Sequence, residues 1–191
     1  MKNTAYLILA NGRIFEGTAF GAEGVITGET VFTTGMNGYL ETLTDPSYFG
    51  QIVTQTFPLI GNYGVIEKDF ESDRCHVRGY ILRDLCDEPS NFRCGGKLED
   101  WLKKQNVIGL AGIDTRAITK ILRESGVMNG MIVSGEGEEA KSILASLKDE
   151  GKKSELLEKI KSYKIEKAVE SVTGSASAIE EDAATVFAES A

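Results

Sequence analysis

The sequence predicts an α/β fold in which a glycine-rich sheet is covered on one side by helices. Segments of strand character come first along the chain, and strand and helix alternate only after residue 97. Most of the 21 glycines lie before residue 113, and proline occurs only three times. Many glycines with few prolines indicate tight turns between strands rather than a long linker. The 191 residues suffice for one domain and a tail.

The opening of the chain has the pattern of a β-hairpin. Apolar residues at 6–9 and 14–15 flank Asn11-Gly12, and both turn residues accept the positive φ of a two-residue hairpin turn. Residues 16–30 are rich in glycine, and we expect loops and short strands there. Residues 31–34 are β-branched or aromatic and predict a strand.

The next part of the chain alternates turns with short elements. Residues 39–44 predict a short helix or a bend, and Asp45-Pro46-Ser47 predicts a turn. Residues 51–57 predict the clearest strand, which ends at Pro58. The remaining predictions are a turn at 61–64, a loop or one helical turn at 67–74, a strand at 77–82 and a loop at 87–96.

Helical periodicity appears in the second half of the chain. Residues 98–105 carry apolar side chains at positions i, i+3 and i+4. Residues 113–126 give the strongest helix prediction, with Asp114 or Thr115 as the N-cap and Gly126 just past the end. The other predicted elements are strands at 107–111 and 131–134 and helices at 138–147 and 154–163.

Composition excludes several classes of function. The net charge of −8, most of it from Glu136 onward, argues against nucleic acid and anionic membranes as partners. No apolar stretch approaches the length that spans a bilayer, and the N-terminal apolar run is too short for a signal peptide. We therefore expect a cytoplasmic protein, and the three cysteines, which form no CxxC pair, show no metal-ligand spacing.

The cysteines and the single histidine are the first candidates for chemistry. Cys75 and His76 are adjacent, and adjacent residues of an extended chain point apart. A nucleophile–base dyad is therefore disfavoured against the simpler interpretation of a small apolar cysteine beside a surface or loop histidine. A disulfide or redox role for Cys86 and Cys94 is a minor alternative to two free thiols.

Glycine turns and carboxylates offer further candidates with simpler explanations. The GxxG segments at 35–38 and 61–64 lack the Lys-Ser/Thr of a phosphate-binding loop, so turn geometry explains them better. Asp45 beside Glu41 is better explained as a turn cap than as half of an acid–base pair. Arg116 lies in the first turn of a predicted helix, where a positive charge is unfavourable. That conflict predicts a partner for Arg116, either a tertiary acid or an interface.

Several segments together resemble one known family. Residues 28–64, GETVFTTGMNGYLETLTDPSYFGQIVTQTFPLIGNYG, string turn glycines, a TDPSY turn and a strand in a fixed order. The segments LILANGRIFEG, RGYILRDL, SNFR, LEDWLKKQNVIGLAGIDTRAITKILRESG and NGMI agree with it. This set resembles the N-terminal domain of the small, glutamine-hydrolysing subunit of carbamoyl-phosphate synthetase, densely over residues 1–134 and weakly to about residue 173.

The resemblance implies a fold, a reaction and partners. The fold would be a three-layer β/β/α domain of the swivelling type, followed by C-terminal helices. The family's small subunit hydrolyses glutamine in a second, amidotransferase domain and passes ammonia to a large subunit. The large subunit uses ATP, Mg²⁺ and bicarbonate to make carbamoyl phosphate for arginine and pyrimidine synthesis. No cofactor is expected in this chain.

One site residue follows from the resemblance. The serine of the family's TDPSY turn contacts glutamine across the domain boundary, and here it is Ser47. The cysteine elbow and the distal histidine and glutamate of the family's triad have no counterpart in this sequence. We therefore expect no catalytic residue here, an inactive chain on its own, and a fragment or split-gene half of a ligase.

The expected organisation has three parts. Residues 1–134 would form the family's N-terminal domain, 135–173 a helical connector toward the amidotransferase domain, and 174–191 a low-complexity, disordered tail. The expected partners are the large subunit and a separately encoded glutaminase domain. An exposed apolar patch is expected near Tyr39, Tyr48 and Phe49, where those partners would pack.

Two rival functions remain open. One is a free-standing small-molecule binding module that uses the glycine-rich turns as a backbone nest. The other is an independent hydrolase that depends on Cys75. A closed pocket near residues 35–47 would favour the first, and an activated thiolate would favour the second.

Overall fold

The computed structural model describes residues 3–166 and 171–172, and strands dominate the first part of it. Nine strands occur in chain order: β1 (Thr4–Leu9), β2 (Ile14–Gly21), β3 (Gly24–Thr33), β4 (Ile52–Gln55), β5 (Leu59–Ile60), β6 (Gly79–Ile81), β7 (Asp84–Leu85), β8 (Ile108–Ala111) and β9 (Met128–Ser134). The helices are α1 (Tyr39–Thr44), α2 (Leu98–Lys104), α3 (Thr115–Ser125), α4 (Glu138–Ser146) and α5 (Glu150–Lys161). Short 3₁₀ turns lie at Pro46–Tyr48 and Glu67–Asp69.

Seven of the strands close into a barrel in the order β1-β2-β8-β6-β4-β3-β9. The hairpin β1–β2 and its neighbours β8 and β9 pair antiparallel, and β3 also pairs antiparallel with β9. The run β3-β4-β6-β8 is parallel throughout. Strands β5 and β7 form a separate two-stranded sheet. Closure leaves no free edge on the main sheet.

Side chains alternate between the barrel interior and its outer faces. Leu7 and Leu9 join an interior cluster, whereas Ile8 between them joins a different cluster outside. The same alternation recurs on β6, where Ile81 points inward and Tyr80 outward. This period of two is what a pleated strand imposes, and it gives the domain one core inside the barrel and two outside.

Helices cover the barrel on more than one side. Helices α1 and α2 belong to the outer core over β4, β6 and β8, whereas α4 and α5 cover β1 and β9. Helix α3 instead contributes Ile118 and Leu122 to the interior cluster. The expectation of helices on one side only is therefore wrong, because a closed sheet has an outer face all the way round.

The prediction of an α/β, sheet-rich fold is confirmed, and the three-layer β/β/α arrangement is not, because the sheet closes into a barrel. The Asn11-Gly12 hairpin and the Asp114 cap of α3, which accepts from the Ala117 N–H at 2.9 Å, are confirmed. Loops and short strands at 16–30 are wrong, since β2 and β3 run through that segment. The predicted tail at 174–191 lies outside the described residues.

Helix α5 is fastened to the barrel at its C-terminal end. The side-chain amide of Asn129 on β9 donates to the carbonyl of Ile160 at 3.0 Å and to that of Tyr163 at 2.8 Å. The carbonyl of Ile160 belongs to the last turn of α5, and that of Tyr163 lies just past its C-cap, so the amide ties the end of the helix to β9. Within residues 3–166 and 171–172, no helix is long and apolar enough to cross a membrane.

Glycine at position 17 allows β2 to lie close to the end of β8. A Cβ at Gly17 would lie 2.3 Å from the carbonyl oxygen of Ala111 and 2.5 Å from Ile113. The carbonyl oxygen of Ala111 is a backbone atom, so a change of side-chain rotamer cannot relieve this clash. Gly17→Ala is expected to lower the free energy of unfolding by about 3 kcal/mol, measured by chemical denaturation.

The matched control is Gly96→Ala, because a Cβ at Gly96 meets no heavy atom within 4 Å. Its free energy of unfolding should stay within about 0.5 kcal/mol of the parent chain. Equal stabilities of the two variants would contradict the close approach of β2 and β8.

Candidate functional site

The turn that follows α1 carries the one residue predicted to touch a substrate. Asp45 begins a 3₁₀ turn, and its carboxylate accepts the backbone N–H of Ser47 at 2.8 Å. The same Oδ1 also accepts the hydroxyl of Ser47 in a short hydrogen bond. Pro46 fixes the first position of the turn, as its restricted φ favours. The predicted Asp-Pro-Ser turn is confirmed.

Both ends of this turn are tied to the segment before β6. On one side, Thr44 accepts the N–H of Glu71 on its hydroxyl at 2.9 Å, and its carbonyl accepts the hydroxyl of Ser72 at 2.6 Å. On the other side, the N–H of Gly50 donates to the carbonyl of His76 at 3.1 Å. These hydrogen bonds therefore attach the turn to the barrel at both of its ends.

The Ser47 hydroxyl is suited to binding and not to attack. Ser47 is exposed and its hydroxyl donates to Asp45, so the Ser47 oxygen keeps the capacity to accept a hydrogen bond. A serine nucleophile needs a base such as histidine. The one histidine, His76, has its Nε2 against the hydroxyl of Ser72 at 2.9 Å.

The Cys75-dependent hydrolase is not supported by this geometry. Burial raises the pKa of the Cys75 thiol to about 12, so it stays protonated at neutral pH. Its sulfur lies 4.0 Å from the carbonyl of Val77. Cys86 and Cys94 are free thiols, so the disulfide alternative is wrong.

The glycine-rich turns at 35–38 and 61–64 are hydrogen-bonded to each other and form no open backbone nest for a ligand. The N–H groups of Gly38 and Tyr39 both donate to the hydroxyl of Tyr63 at 3.2 Å. The rings of Tyr39 and Tyr63 stack with centroids 4.1 Å apart, and the Tyr39 hydroxyl donates to the carbonyl of Gly64 at 2.6 Å. The N–H groups of Gly38 and Tyr39, which a backbone nest would need as donors, are therefore already hydrogen-bonded within the protein.

The expected apolar patch near Tyr39, Tyr48 and Phe49 is wrong. Tyr39 is only 1% exposed and belongs to the outer core, and the other two are half-buried. Large apolar side chains are exposed instead at Met36 (73%) and Phe92 (96%). No local pattern could predict this burial, because Tyr39 packs against Tyr63, which lies 24 residues further along the chain.

Metal binding has no support in the described part of the chain. Residues 3–166 and 171–172 contain no group of three or more His, Cys, Asp or Glu placed to hold an ion.

The geometry thus consists of a closed barrel that carries a fixed turn with an exposed serine hydroxyl. Comparison with known proteins assigns its family. Residues 7–132 match the family model described as carbamoyl-phosphate synthase small chain, CPSase domain. The chain belongs to this family.

Curated relatives agree with the assignment, and each carries the name carbamoyl phosphate synthase small chain. The protein of Clostridium perfringens is 60% identical over 129 residues, which cover 68% of this chain and 37% of the relative. The one from Syntrophotalea carbinolica is 53% identical, covering 68% and 35%. The one from Vibrio vulnificus is 49% identical, covering 78% and 39%. The chain therefore spans between a third and two fifths of the length of these relatives.

Among solved structures, an aminopeptidase from Aneurinibacillus sp. strain AM-1 aligns with 69% of this chain and 30% of its own. The TM-score is 0.40 and the identity 17%. A likeness this distant supports no statement about fold or function.

The histidine behind the turn makes stability depend on pH. Burial lowers the pKa of His76 below its usual 6.5, and the nearby charge of Arg74 lowers it further, against the opposing carboxylates of Asp73 and Asp45. The folded state therefore disfavours the charged imidazolium. The contribution of neutral His76 to the free energy of unfolding is complete above pH 6.5, and it is lost as the pH falls through the lowered pKa.

We expect the free energy of unfolding to fall between about pH 7 and pH 5.5, and to fall less in His76→Gln, measured by denaturant titration at each pH. Glutamine keeps an amide that can reach Ser72 but does not titrate. If the free energy of unfolding depended on pH in the same way in both proteins, His76 would not be the cause of the loss of stability.

Proposed function

We propose that this chain is the docking and structural domain of a glutamine-dependent carbamoyl-phosphate synthetase. The observation that carries the proposal is the family match over residues 7–132, which includes the whole TDPSY turn. The fixed, outward-facing turn supports it, because a rigid acceptor on a barrel surface suits contact with another domain.

In this proposal Ser47 completes a glutamine pocket supplied mainly by an amidotransferase domain. The Ser47 oxygen would accept a hydrogen bond from an ammonium or amide group of glutamine, because its own proton is held by Asp45. Asp45 is then a positioning residue that fixes the rotamer of Ser47. No step of glutamine hydrolysis is assigned to this chain.

The reaction belongs to the proposed assembly. Ammonia released from glutamine would pass to a large subunit, where ATP, Mg²⁺ and bicarbonate serve carbamoyl phosphate synthesis for arginine and pyrimidine formation. This makes the assembly a cytoplasmic ligase, with the large subunit and a glutaminase domain as the partners of this chain.

The proposed contact with the large subunit centres on two exposed apolar side chains. A cleft of about 350 Å³ is lined by Asn37 from one loop and by Asn91 and Arg93 from another. Met36 and Phe92, each next to a lining residue, therefore lie beside the same cleft. We name this region the Met36–Phe92 surface. Large apolar anchors beside a polar rim are typical of energetic centres in protein interfaces.

The direct test is size-exclusion chromatography of the 191-residue chain mixed with a family large subunit at micromolar concentration. We expect the two to elute together. Phe92→Ala should weaken the complex at least about tenfold, the loss typical of one interface anchor.

Val127→Ala is the matched control, because Val127 is also exposed (61%) but lies between α3 and β9. Ser47→Ala should leave association intact and raise the KM for glutamine in the assembled synthetase. Absence of any complex at micromolar concentration would refute the docking role, and equal losses for Phe92→Ala and Val127→Ala would refute the surface.

A further inference from the structure

A second cleft lies at the carboxyl ends of the parallel strands, away from Ser47. Residues just past the ends of three strands line it: Thr34 after β3, Thr56 after β4 and Arg83 after β6. Helix α3, which follows β8, forms the other wall. The cleft has a volume of about 690 Å³. In open α/β sheets, ligands bind outside the carboxyl ends of the strands, and this parallel run offers the same kind of location.

The charge of this cleft is of one sign. Arg83, Arg116, Lys120 and Arg123 line it, and no aspartate or glutamate is among the lining residues. The three cations of α3 are spaced i, i+4 and i+7, which places them on one helix face. We name this region the basic cleft. It stands out in a chain whose net charge is −8.

The arginines of α3 have no acidic partner among the residues that the structure describes. Within residues 3–166 and 171–172, no carboxylate lies within ion-pair distance of Arg116 or Arg123. The other two cations of the cleft have long, exposed pairs, Arg83 with Asp84 at 3.8 Å and Lys120 with Glu124 at 4.0 Å. Exposed pairs of this length are weak and leave these cations available.

The position of Arg116 makes this lack of a partner informative. A positive charge in the first turn opposes the helix dipole and destabilises the helix. The sequence predicts a tertiary acid or an interface to offset that cost, and the part of the chain that the structure describes places no acid beside Arg116. The N-terminus of α3 is already capped by Asp114, so any attraction for an anion comes from the side chains.

Threonine hydroxyls complete the lining. Thr115 is 5% exposed and lines the basic cleft. Thr119 also lines the cleft and donates its proton to the carbonyl of Thr115 at 2.8 Å. A threonine hydroxyl at the cleft wall can donate a hydrogen bond to an anion or accept one from a ligand.

We propose that the basic cleft binds a phosphate-bearing small molecule. Guanidinium groups match phosphate oxygens through paired N–H donors, and threonine hydroxyls add single hydrogen bonds. The volume lies in the range of small-ligand sites. The proposal is independent of the role of Ser47 and of the Met36–Phe92 surface.

The test titrates inorganic pyrophosphate into the 191-residue chain at low ionic strength, followed by calorimetry. We expect a dissociation constant below about 1 mM. The double variant Arg116→Gln with Arg123→Gln should weaken binding at least about tenfold, because two charge-assisted contacts are lost. The single variants report the same loss separately if the double variant does not fold.

Arg74→Gln is the matched control, because Arg74 is also exposed but precedes β6, at the opposite end of the parallel strands. It should bind pyrophosphate within about twofold of the parent chain. No heat up to about 10 mM pyrophosphate, or an equal loss in Arg74→Gln, would overturn the proposal. A polyglutamate peptide that binds and resists displacement by pyrophosphate would also overturn it, in favour of an acidic protein segment.

Discussion

The structure depends on strand β9, which joins the N-terminal hairpin to the parallel run and so closes the barrel. Strand β9 pairs with β1 from Ala5↔Ser134 to Leu9↔Gly130, and with β3 from Gly24↔Ser134 to Thr30↔Met128. Without it the sheet would be open between β1 and β3, and both edges would expose unpaired backbone groups. The same strand carries Asn129, which fastens α5, and Met131 and Val133, which anchor the outer core beneath α4 and α5.

Closure also explains why the Ser47 turn and the basic cleft are well-defined surfaces. The parallel run β3-β4-β6-β8 is bounded by β3, which pairs with β9, and by β8, which pairs with β2. These two pairings keep the run in a fixed register. The turn lies between β3 and β4 and is tied to the segment before β6, whereas the cleft lies past the ends of the same strands. The two candidate sites thus lie at opposite ends of one rigid set of strands, and a partner at one need not disturb the other.

Local signals in the sequence predicted the local features well. Asn11-Gly12, the Asp45 turn and the Asp114 cap are each decided by a few adjacent residues, whose backbone preferences need no tertiary support. The closure by β9 was not predictable in this way, because its pairs join residues about 100 or more positions apart, such as Ala5 and Ser134. The length of β3 was missed for a related reason: pairing on both sides overrides the low strand preference of glycine. The expectation that Ser47 contacts glutamine came from the family resemblance and stays a prediction, whereas its hydrogen bond to Asp45 needed the structure.

Native-state hydrogen exchange across β9 tests the central claim most directly. If β9 holds the barrel closed, its amides should exchange only by global unfolding, with an exchange free energy that equals the free energy of unfolding and the same denaturant dependence. Exchange of the β9 amides at a free energy lower by more than about 2 kcal/mol, while β4 and β6 stay protected, would show that the barrel opens at β9 without unfolding. That result would contradict the dependence of both sites on closure.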